Sequence, residues 1–489
     1  MYMARRNILE NKKSLFKNTI YKSILSFVNI LIPLLVGPYI VKLLDVNLYG
    51  AYNKVYADFQ LFLTFASFGV YTYGIKEISK IRNDKKKVSK LLTNLFVISL
   101  ISNFIVGGIY IGYSFVIAKD ITRTLYLLML IQIIANIFYI EFVNEALENY
   151  KFITLKTLII KIFYMASLFI FVKKPTDIII YSIIICLTVF ANNIVSFIYA
   201  SKRIKFDFKT LELKKYLKPL FLIVIITNID LLYSQLDMVL LVKFIDGVSV
   251  TMYYIPYYIV STLVAVPYSI IFVSIPRLSY LIDNEGKESY ENTLNKAVSS
   301  LLFIIIPMCL GVFVLAKEIV YLYAGDKYMA IVPVLMVAAI IRIIISIDST
   351  LINLVMYPNN QEKKIVKYTL IAGIINLIFN LVMGFAKILT PLTCMITTGI
   401  VQLILGVLLY VHVKYKMKIN YKLFTKQNIL YMGLSLMFIP ISLLIRCFNL
   451  NFYINILLIM ILCIGFYGIG LLIVKDENVN LILRKLRKR

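Results

Sequence analysis

Residues 329–356 read MAIVPVLMVAAIIRIIISIDSTLINLVM, and this stretch decides the fold class. Its only charged residues are Arg342 and Asp348. About 20 apolar residues are enough for a helix to cross the hydrocarbon core of a bilayer. The stretch therefore predicts a transmembrane helix that carries two costly charges.

The rest of the chain has the same character. Of its 489 residues, 61% are hydrophobic and 16% are charged, and the mean hydropathy is +0.85. A soluble domain has about 45–50% apolar and about 25% charged residues. This composition excludes soluble, disordered, collagen-like and disulfide-stabilised chains. We predict an all-α polytopic membrane protein.

Fourteen stretches are long and apolar enough to be predicted as spans. The first one is too long for a signal-peptide core and is interrupted by Pro33 and Pro38, so we expect it to stay as a transmembrane helix. The predicted spans are 20–44, 48–75, 91–117, 124–147, 153–172, 177–200, 217–243, 250–275, 295–316, 329–356, 366–386, 389–412, 428–448 and 452–474.

The distribution of basic residues predicts the topology. The net charge is +27, and Lys and Arg are about four times more frequent in the even-numbered loops and the termini than on the other side. Cytoplasmic loops carry such an excess, so both termini are expected in the cytoplasm. The basic residues are scattered over many short loops, whereas nucleic-acid binding needs a clustered patch. We therefore expect no nucleic-acid partner, and we expect the chain to contact membrane lipids.

Catalysis within this chain is not expected. No loop exceeds about 20 residues, which leaves no room for a soluble catalytic domain, and GxxxxGK[ST] is absent. The five Cys lie in apolar stretches without a CxxC motif, and His412 is the single histidine. Buried hydrophobic cysteines are therefore favoured over a metal or redox site.

A weak internal repeat indicates two halves. Residues 41–45 read VKLLD and residues 242–246 read VKFID, and tyrosines follow both at the same offset of 201 residues. Transporters are often built from duplicated halves. The predicted domains are an N-terminal lobe of spans 1–6 (residues 1–218), a C-terminal lobe of spans 7–12 (219–412), and spans 13–14 with a basic tail (413–489).

The chain resembles the Wzx-type oligosaccharide flippases of the MATE-like (MOP) superfamily. The resemblance lies in Asn29, Pro33 and Pro38 of the first span, the LLD…YGAY turn of residues 43–52, the seventh span with NID (228–230) and QLD (235–237), and the fourteen-span plan. One departure is Gly247, which directly follows Asp246. The resemblance implies two pseudo-symmetric lobes around a central cavity. It also implies transfer of lipid-pyrophosphate-linked sugar units across a bacterial cytoplasmic membrane.

Charges at membrane depth are rare unless they face a cavity or a partner, so they supply the candidate site residues. Lys54 and Asp58 are four residues apart, as in a local ion pair, or they line a cavity in which Lys54 contacts an anion. Lys22 is placed to snorkel to the interface, or alternatively to meet an entering pyrophosphate.

The later spans add four candidates. Asp230 and Asp237 share a face of the seventh span, where they either join helices or line a polar cavity. Arg342 lies in the middle of the tenth span, and its guanidinium suits a pyrophosphate. The alternative is a buried pair with Asp237 or Asp230. Asp348, on the same span, is the last of the candidate site residues.

Two further groups receive structural interpretations. Glu141, Glu145 and Glu148 step along one face near the end of the fourth span and are expected to form a solvated rim. Asn376 and Asn380 share a face of the eleventh span and are expected to join helices.

The leading hypothesis is a flippase for polyprenyl-pyrophosphate-linked oligosaccharide, working by alternating access in capsule or exopolysaccharide assembly. A cation-coupled multidrug exporter of the same fold and a membrane glycosyltransferase or polymerase remain as alternatives. No organic cofactor is expected, while H⁺ or Na⁺ could serve as the coupling cation. A polysaccharide polymerase and glycosyltransferases are candidate partners.

The charge asymmetry gives a first prediction. Reporter fusions after Lys174 and after Lys387 should report the outer side of the membrane, because both positions lie in odd-numbered loops. Paired alkaline-phosphatase and green-fluorescent-protein fusions measure this, with fusions after Lys86 and Lys202 as cytoplasmic controls. A cytoplasmic signal at Lys174 or Lys387 would refute the topology.

Overall fold

The computed structural model describes residues 2–227 and 231–480, and this part of the chain contains helices and no strand. The all-α class is thereby confirmed. The N-terminal helices are α1 (Tyr2–Leu43), α2 (Val46–Ser67), α3 (Val70–Ile81), α4 (Lys85–Ile117), α5 (Asp120–Ile137), α6 (Glu141–Ala146), α7 (Tyr150–Phe171), α8 (Ile178–Ser201), α9 (Leu213–Thr227) and α10 (Leu231–Phe244).

The later helices include two π-helical turns, Leu351–Met356 and His412–Lys416, and a 3₁₀ turn, Asp326–Ile331. The α-helices are α11 (Gly247–Val264), α12 (Ser269–Asn284), α13 (Gly286–Val314), α14 (Ala316–Ala324), α15 (Val332–Thr350), α16 (Glu362–Phe385), α17 (Pro391–Val411), α18 (Lys426–Leu436), α19 (Phe438–Arg446) and α20 (Phe452–Ile473).

Among the described residues, eleven helices are long and apolar enough to cross a membrane, or twelve if the bent pair α11 and α12 is one span. The predicted count of fourteen is therefore not confirmed. The stretch predicted as the second span is divided between α2 and α3, and α2 carries Lys54, Asp58 and several amides. The predicted seventh span includes residues 228–230, which lie outside the described residues.

Large apolar side chains are exposed on the outside of these helices. Phe104 is 69% exposed, Phe163 68% and Ile464 67%. A soluble protein rarely exposes contiguous apolar surface of this kind, whereas lipid accepts it. Helices also satisfy their own backbone hydrogen bonds, as a bilayer requires. The chain is a multi-pass membrane protein.

The chain forms two compact units that divide between Thr251 and Met252. In the first unit, α5 packs on α4 and α8, and α7 packs on α1 and α8. In the second unit, α15 packs between α13 and α17, while α18 lies on α13 and α19 on α20. The domain limits at residues 218 and 412 stay predictions.

The turn before α2 has a local cause in the sequence. The Asp45 carboxylate accepts hydrogen bonds from the backbone N–H groups of Asn47 (2.9 Å) and Leu48 (3.1 Å). It thereby satisfies two donors that the helix leaves unpaired at its N-terminus. At the other end of α2, Phe68 and Gly69 adopt positive φ angles of 44° and 69°, which ends the helix.

The second copy of the repeat behaves in the same way. Asp246 accepts a hydrogen bond from the backbone N–H of Ser249 at 2.7 Å, at the start of α11. The aspartates matched by the sequence repeat are thus both helix caps. This local role explains why the repeat retains an aspartate at each turn.

The two repeated turns contact each other within the first unit. A Cβ atom on Gly50 would lie 2.8 Å from the backbone nitrogen of Val248, and one on Gly247 would lie 2.6 Å from the carbonyl oxygen of Gly50. Beside this contact, the buried Asn53 amide donates to the Thr251 hydroxyl at 2.8 Å. The displaced Gly247 noted in the sequence is required here because a side chain would meet backbone.

This contact gives a second prediction. Gly247→Ala should lower the thermal unfolding temperature of the purified chain, because overpacking against backbone costs about 1–3 kcal/mol. Gly108→Ala is the matched control, since no atom lies within 4 Å of the Cβ it would add. Equal unfolding temperatures for the two variants in detergent would contradict the prediction.

Candidate functional site

Arg342 lies on α15 in the second unit and is partly exposed. Its guanidinium carbon lies 5.4 Å from the centre of the Tyr268 ring, a cation–π distance. The Tyr268 hydroxyl lies 3.2 Å from the Ser346 hydroxyl, which donates to the backbone oxygen of Arg342 at 2.7 Å. Ser346, one turn after Arg342 on α15, therefore contacts both the backbone of the arginine and the hydroxyl of the tyrosine whose ring packs against its guanidinium.

The hydrogen-bonding capacity of this arginine is largely unused. Among the described residues Arg342 forms no salt bridge, and its Nε has no hydrogen-bond partner. A guanidinium offers five donors in a planar fork. The predicted pairs with Asp230 and Asp237 stay untested, since residue 230 lies outside the described residues and Asp237 belongs to the other unit.

Asp348 is on α15 but does not pair with Arg342, because six residues turn it to a different side of the helix. It is 3% exposed, and neither carboxylate oxygen has a hydrogen-bond partner in the described part of the chain. Gly406 of α17 makes room for it, as a Cβ there would lie 2.6 Å from Asp348 Oδ1.

Asp348 is also among the residues that line a mainly apolar cavity of about 580 Å³ between α13, α15, α17 and α18. Burying a carboxylate without a donor is expensive. The sequence singled out this residue correctly as a deep charge, but it could not show that Gly406 faces it.

In the first unit, Asp58 of α2 is 4% exposed and is held by tyrosines. Its Oδ2 accepts hydrogen bonds from Tyr113 of α4, at 3.1 Å, and from Tyr126 of α5. Lys54 and Asp58 make no direct salt bridge, although Lys54 acts electrostatically on the Asp58 carboxyl, so the choice between a local pair and a cavity stays a prediction. Tyrosines from other helices supply the donors, a pairing that spacing along one helix cannot reveal.

Three other predicted residues are placed incompletely. Asp237 of α10 is fully buried in the first unit. Asp230 lies outside the described residues, and so does the side chain of Lys22. Their roles in a site stay predictions.

The first unit contains a buried ion pair that the sequence did not suggest. Lys156 of α7 lies 3.0 Å from Glu141 of α6, with side chains 3% and 8% exposed. The Lys156 ammonium donates to Ser196 at 2.6 Å, and that hydroxyl donates to Glu141. The expectation of a solvated rim is therefore wrong for Glu141. The sequence did not reveal the Lys156–Glu141 ion pair, because the spacing of residues along one helix does not identify a lysine on the next helix.

The two neighbouring glutamates differ in burial. Glu145 accepts a hydrogen bond from Tyr71 at 2.7 Å in a partly buried contact. Glu148 is exposed and pairs with Arg82 at 2.5 Å, as a rim residue would.

Asn380 of α16 joins two helices as expected, while the role of Asn376 stays a prediction. The Thr397 hydroxyl of α17 donates to Asn380 at 2.6 Å in a buried contact. Among the described residues, no group of three or more His, Cys, Asp or Glu could hold a metal ion. The five cysteines form no disulfide with one another, and four of them are buried while Cys447 is exposed.

The arrangement yields an accessibility prediction. In a chain without its native cysteines, Arg342→Cys should react with a water-soluble, membrane-impermeant maleimide, whereas Asp348→Cys should be protected because that position is 3% exposed. Lys54→Cys and Asp58→Cys form the matched pair in the first unit. Labelling rates are read by mass spectrometry, and equal rates within both pairs would contradict the described burial.

Comparison with known proteins bears on this geometry. Residues 15–282 match the family model described as "Polysaccharide biosynthesis protein". A curated relative, the "Putative O-antigen transporter" of Escherichia coli (strain K12), is 24% identical over 400 residues, covering 80% of this chain and 95% of that protein.

Solved structures give the fold. The lipid II flippase MurJ in an inward closed conformation matches 94% of this chain and 100% of its own, with a TM-score of 0.71 and 16% identity. An outward-facing multidrug resistance MATE family transporter of the MOP superfamily matches 83% of this chain and 96% of its own, with a TM-score of 0.55 and 11% identity. At these identities the similarity concerns the fold alone. It confirms the expected MATE-like architecture.

Proposed function

The chain belongs to the polysaccharide biosynthesis protein family, and we propose that it is a flippase for polyprenyl-pyrophosphate-linked oligosaccharide. It would move the repeat unit from the inner to the outer leaflet of the bacterial cytoplasmic membrane, with both termini in the cytoplasm. The relative whose description names O-antigen transport, and the MATE-like fold, support a transporter rather than an enzyme. The exported polymer would be a capsule or exopolysaccharide.

The observation that carries the substrate assignment is the uncommitted guanidinium of Arg342. A cation inside a membrane segment is costly unless an anion or water compensates it. Among the described residues no carboxylate forms a salt bridge with this group, while Tyr268 supports it from one side. A pyrophosphate carries the missing negative charge and accepts two parallel hydrogen bonds from the fork.

The proposed mechanism is alternating access, and the division of the chain into two compact units supports it. Duplicated transporters move substrate by rocking one half against the other around a fixed site. The polar head group would pass through protein, because sugars and phosphates are expensive in lipid. The polyprenyl tail would stay in the hydrocarbon phase, where it costs nothing.

A cation-coupled multidrug exporter is the second candidate, since such a protein shares the fold. A site for cationic drugs should present uncompensated carboxylates. Asp348 meets that description, but Asp58 is already occupied by tyrosine hydroxyls. The free arginine favours an anionic substrate over a cationic one.

Coupling and partners complete the proposal. A coupling cation, H⁺ or Na⁺, would act at the deep carboxylates, among which Asp348 is a candidate because its oxygens have no donor in the described part of the chain. Glycosyltransferases would supply the lipid-linked unit and a polymerase would consume it. Neighbouring membrane lipids would accommodate the tail during transfer.

A substitution at Arg342 tests the substrate assignment. Arg342→Ala should lower polymer export at least about tenfold at unchanged protein level, because a charge-assisted hydrogen bond contributes about 1.5–3 kcal/mol. Arg342→Lys should recover only part of the export, since an ammonium keeps the charge and loses the fork. Export per unit of membrane-inserted protein is the measurement.

Arg446 provides the matched control arginine. Its Nη2 donates to both oxygens of Glu318, at 2.8 and 2.9 Å. Arg446→Ala should therefore reduce protein level, because it leaves Glu318 buried and unpaired. If Arg342→Ala instead loses abundance, and the double variant with Asp237→Asn recovers abundance and export, Arg342 is a structural partner and the assignment is refuted.

A further inference from the structure

A second cavity, with a polar wall, lies in the second unit. It has a volume of about 460 Å³, and its wall combines two lysines, the only histidine of the chain and two amides. We name it the His412 cavity, and its polar lining consists of Lys287, Tyr290, Asn359, Gln361, His412 and Lys416.

His412 is 7% exposed, and its two ring nitrogens differ. Nδ1 lies 3.0 Å from the Tyr368 hydroxyl, whereas Nε2 has no hydrogen-bond partner among the described residues. When Tyr368 donates to Nδ1, the ring proton is on Nε2, and a protonated ring also carries a proton there. In these two states the buried imidazole has an Nε2–H donor that no described residue satisfies, whereas in the other neutral tautomer Nδ1 donates to Tyr368 and Nε2 is an acceptor. A bound phosphate requires the proton on Nε2.

The electrostatics of the cavity favour an anion. Lys287 and Lys416 line it, and Lys364 and Lys416 both act electrostatically on His412. Lys287 donates to the backbone oxygen of Lys418 at 2.5 Å and lies 3.8 Å from Glu291, yet its side chain is 60% exposed. One carboxylate near the edge does not neutralise this group of cations.

The wall itself is held in place by backbone and tyrosine contacts. Tyr290 donates to the backbone oxygen of Leu354 at 2.9 Å, and Leu354 belongs to the first π-helical turn, Leu351–Met356. The second π-helical turn carries His412 and Lys416. Such turns are rare and frequently occur at functional sites. The three segments that meet here come from even-numbered loops, which the charge asymmetry assigns to the cytoplasm.

We propose that the His412 cavity binds a phosphate group. Two ammonium groups, an imidazole N–H and the amides of Asn359 and Gln361 supply the several donors that a tetrahedral oxyanion needs. Basic pockets on the cytoplasmic side of membrane proteins accept phosphate in this manner. The source is either a phospholipid head group or a soluble phosphate. The site does not depend on the proposed transport function.

The single histidine allows the wild-type chain to be tested directly. The full chain, purified with a tag that lacks histidine, carries ¹⁵N-histidine and gives the two ring-nitrogen signals of a single imidazole in dodecyl maltoside, a detergent without phosphate. Inorganic phosphate added to this sample should shift the signals if the ligand is soluble, at ionic strength held constant with chloride. A shift that appears only when phosphatidylglycerol is added to the detergent identifies a lipid head group. No shift in either experiment overturns the proposal.

Variants separate a specific site from general charge. Lys287→Gln combined with Lys416→Gln should raise the apparent Kd at least about tenfold, as expected for the loss of two phosphate contacts. The matched control is Lys86→Gln with Lys202→Gln, which removes two exposed charges from the other unit. An equal loss of binding in both double variants would show attraction to net charge and overturn the site. If the test variant does not fold, the wild-type titration still decides.

Discussion

The structure depends on the ion pairs and hydrogen bonds that compensate charged side chains in apolar surroundings. Lys156 and Glu141 compensate each other with Ser196 between them, and Asp58 is held by two tyrosine hydroxyls. Arg446 is fixed on Glu318. These contacts tie together helices that would otherwise share only apolar surface, and lipid competes well for that surface. Arg342 and Asp348 depart from the pattern, which is why they carry the functional argument.

Much of the helical architecture could be predicted from the sequence, because apolar length alone identifies a membrane helix. The residues at which each helix begins and ends were harder to predict from the sequence. The span predicted to begin at residue 91 is a helix that begins at Lys85, since hydropathy detects only the part of a helix that lipid would cover. The break at Phe68 and Gly69 was missed because no turn signal precedes it, and Gly69 packs against the backbone of Leu220.

The charged residues of the candidate site could be predicted from the sequence, but the residues that contact them could not. Charge in an apolar stretch identifies Arg342, Asp348 and Asp58 with no structure at hand. Their partners come from other helices: Tyr268 beneath the arginine, Gly406 beside Asp348, Tyr113 and Tyr126 on Asp58. The i,i+4 rule offered only Lys54 as a partner for Asp58 and could not identify the tyrosines, because it considers one helix in isolation. Lys156 and Glu141 show the same limitation.

The contact between Gly50 and Gly247 has a consequence for the history of the chain. If the two turns descend from one duplicated segment, most positions have been free to diverge, as the differing residues after each aspartate attest. Here divergence is blocked in both copies at once, because glycine is already the smallest residue and neither position can shrink to accommodate growth at the other. A larger residue at either glycine would therefore have to be accommodated by a backbone shift in the other turn, about two hundred positions away in the chain.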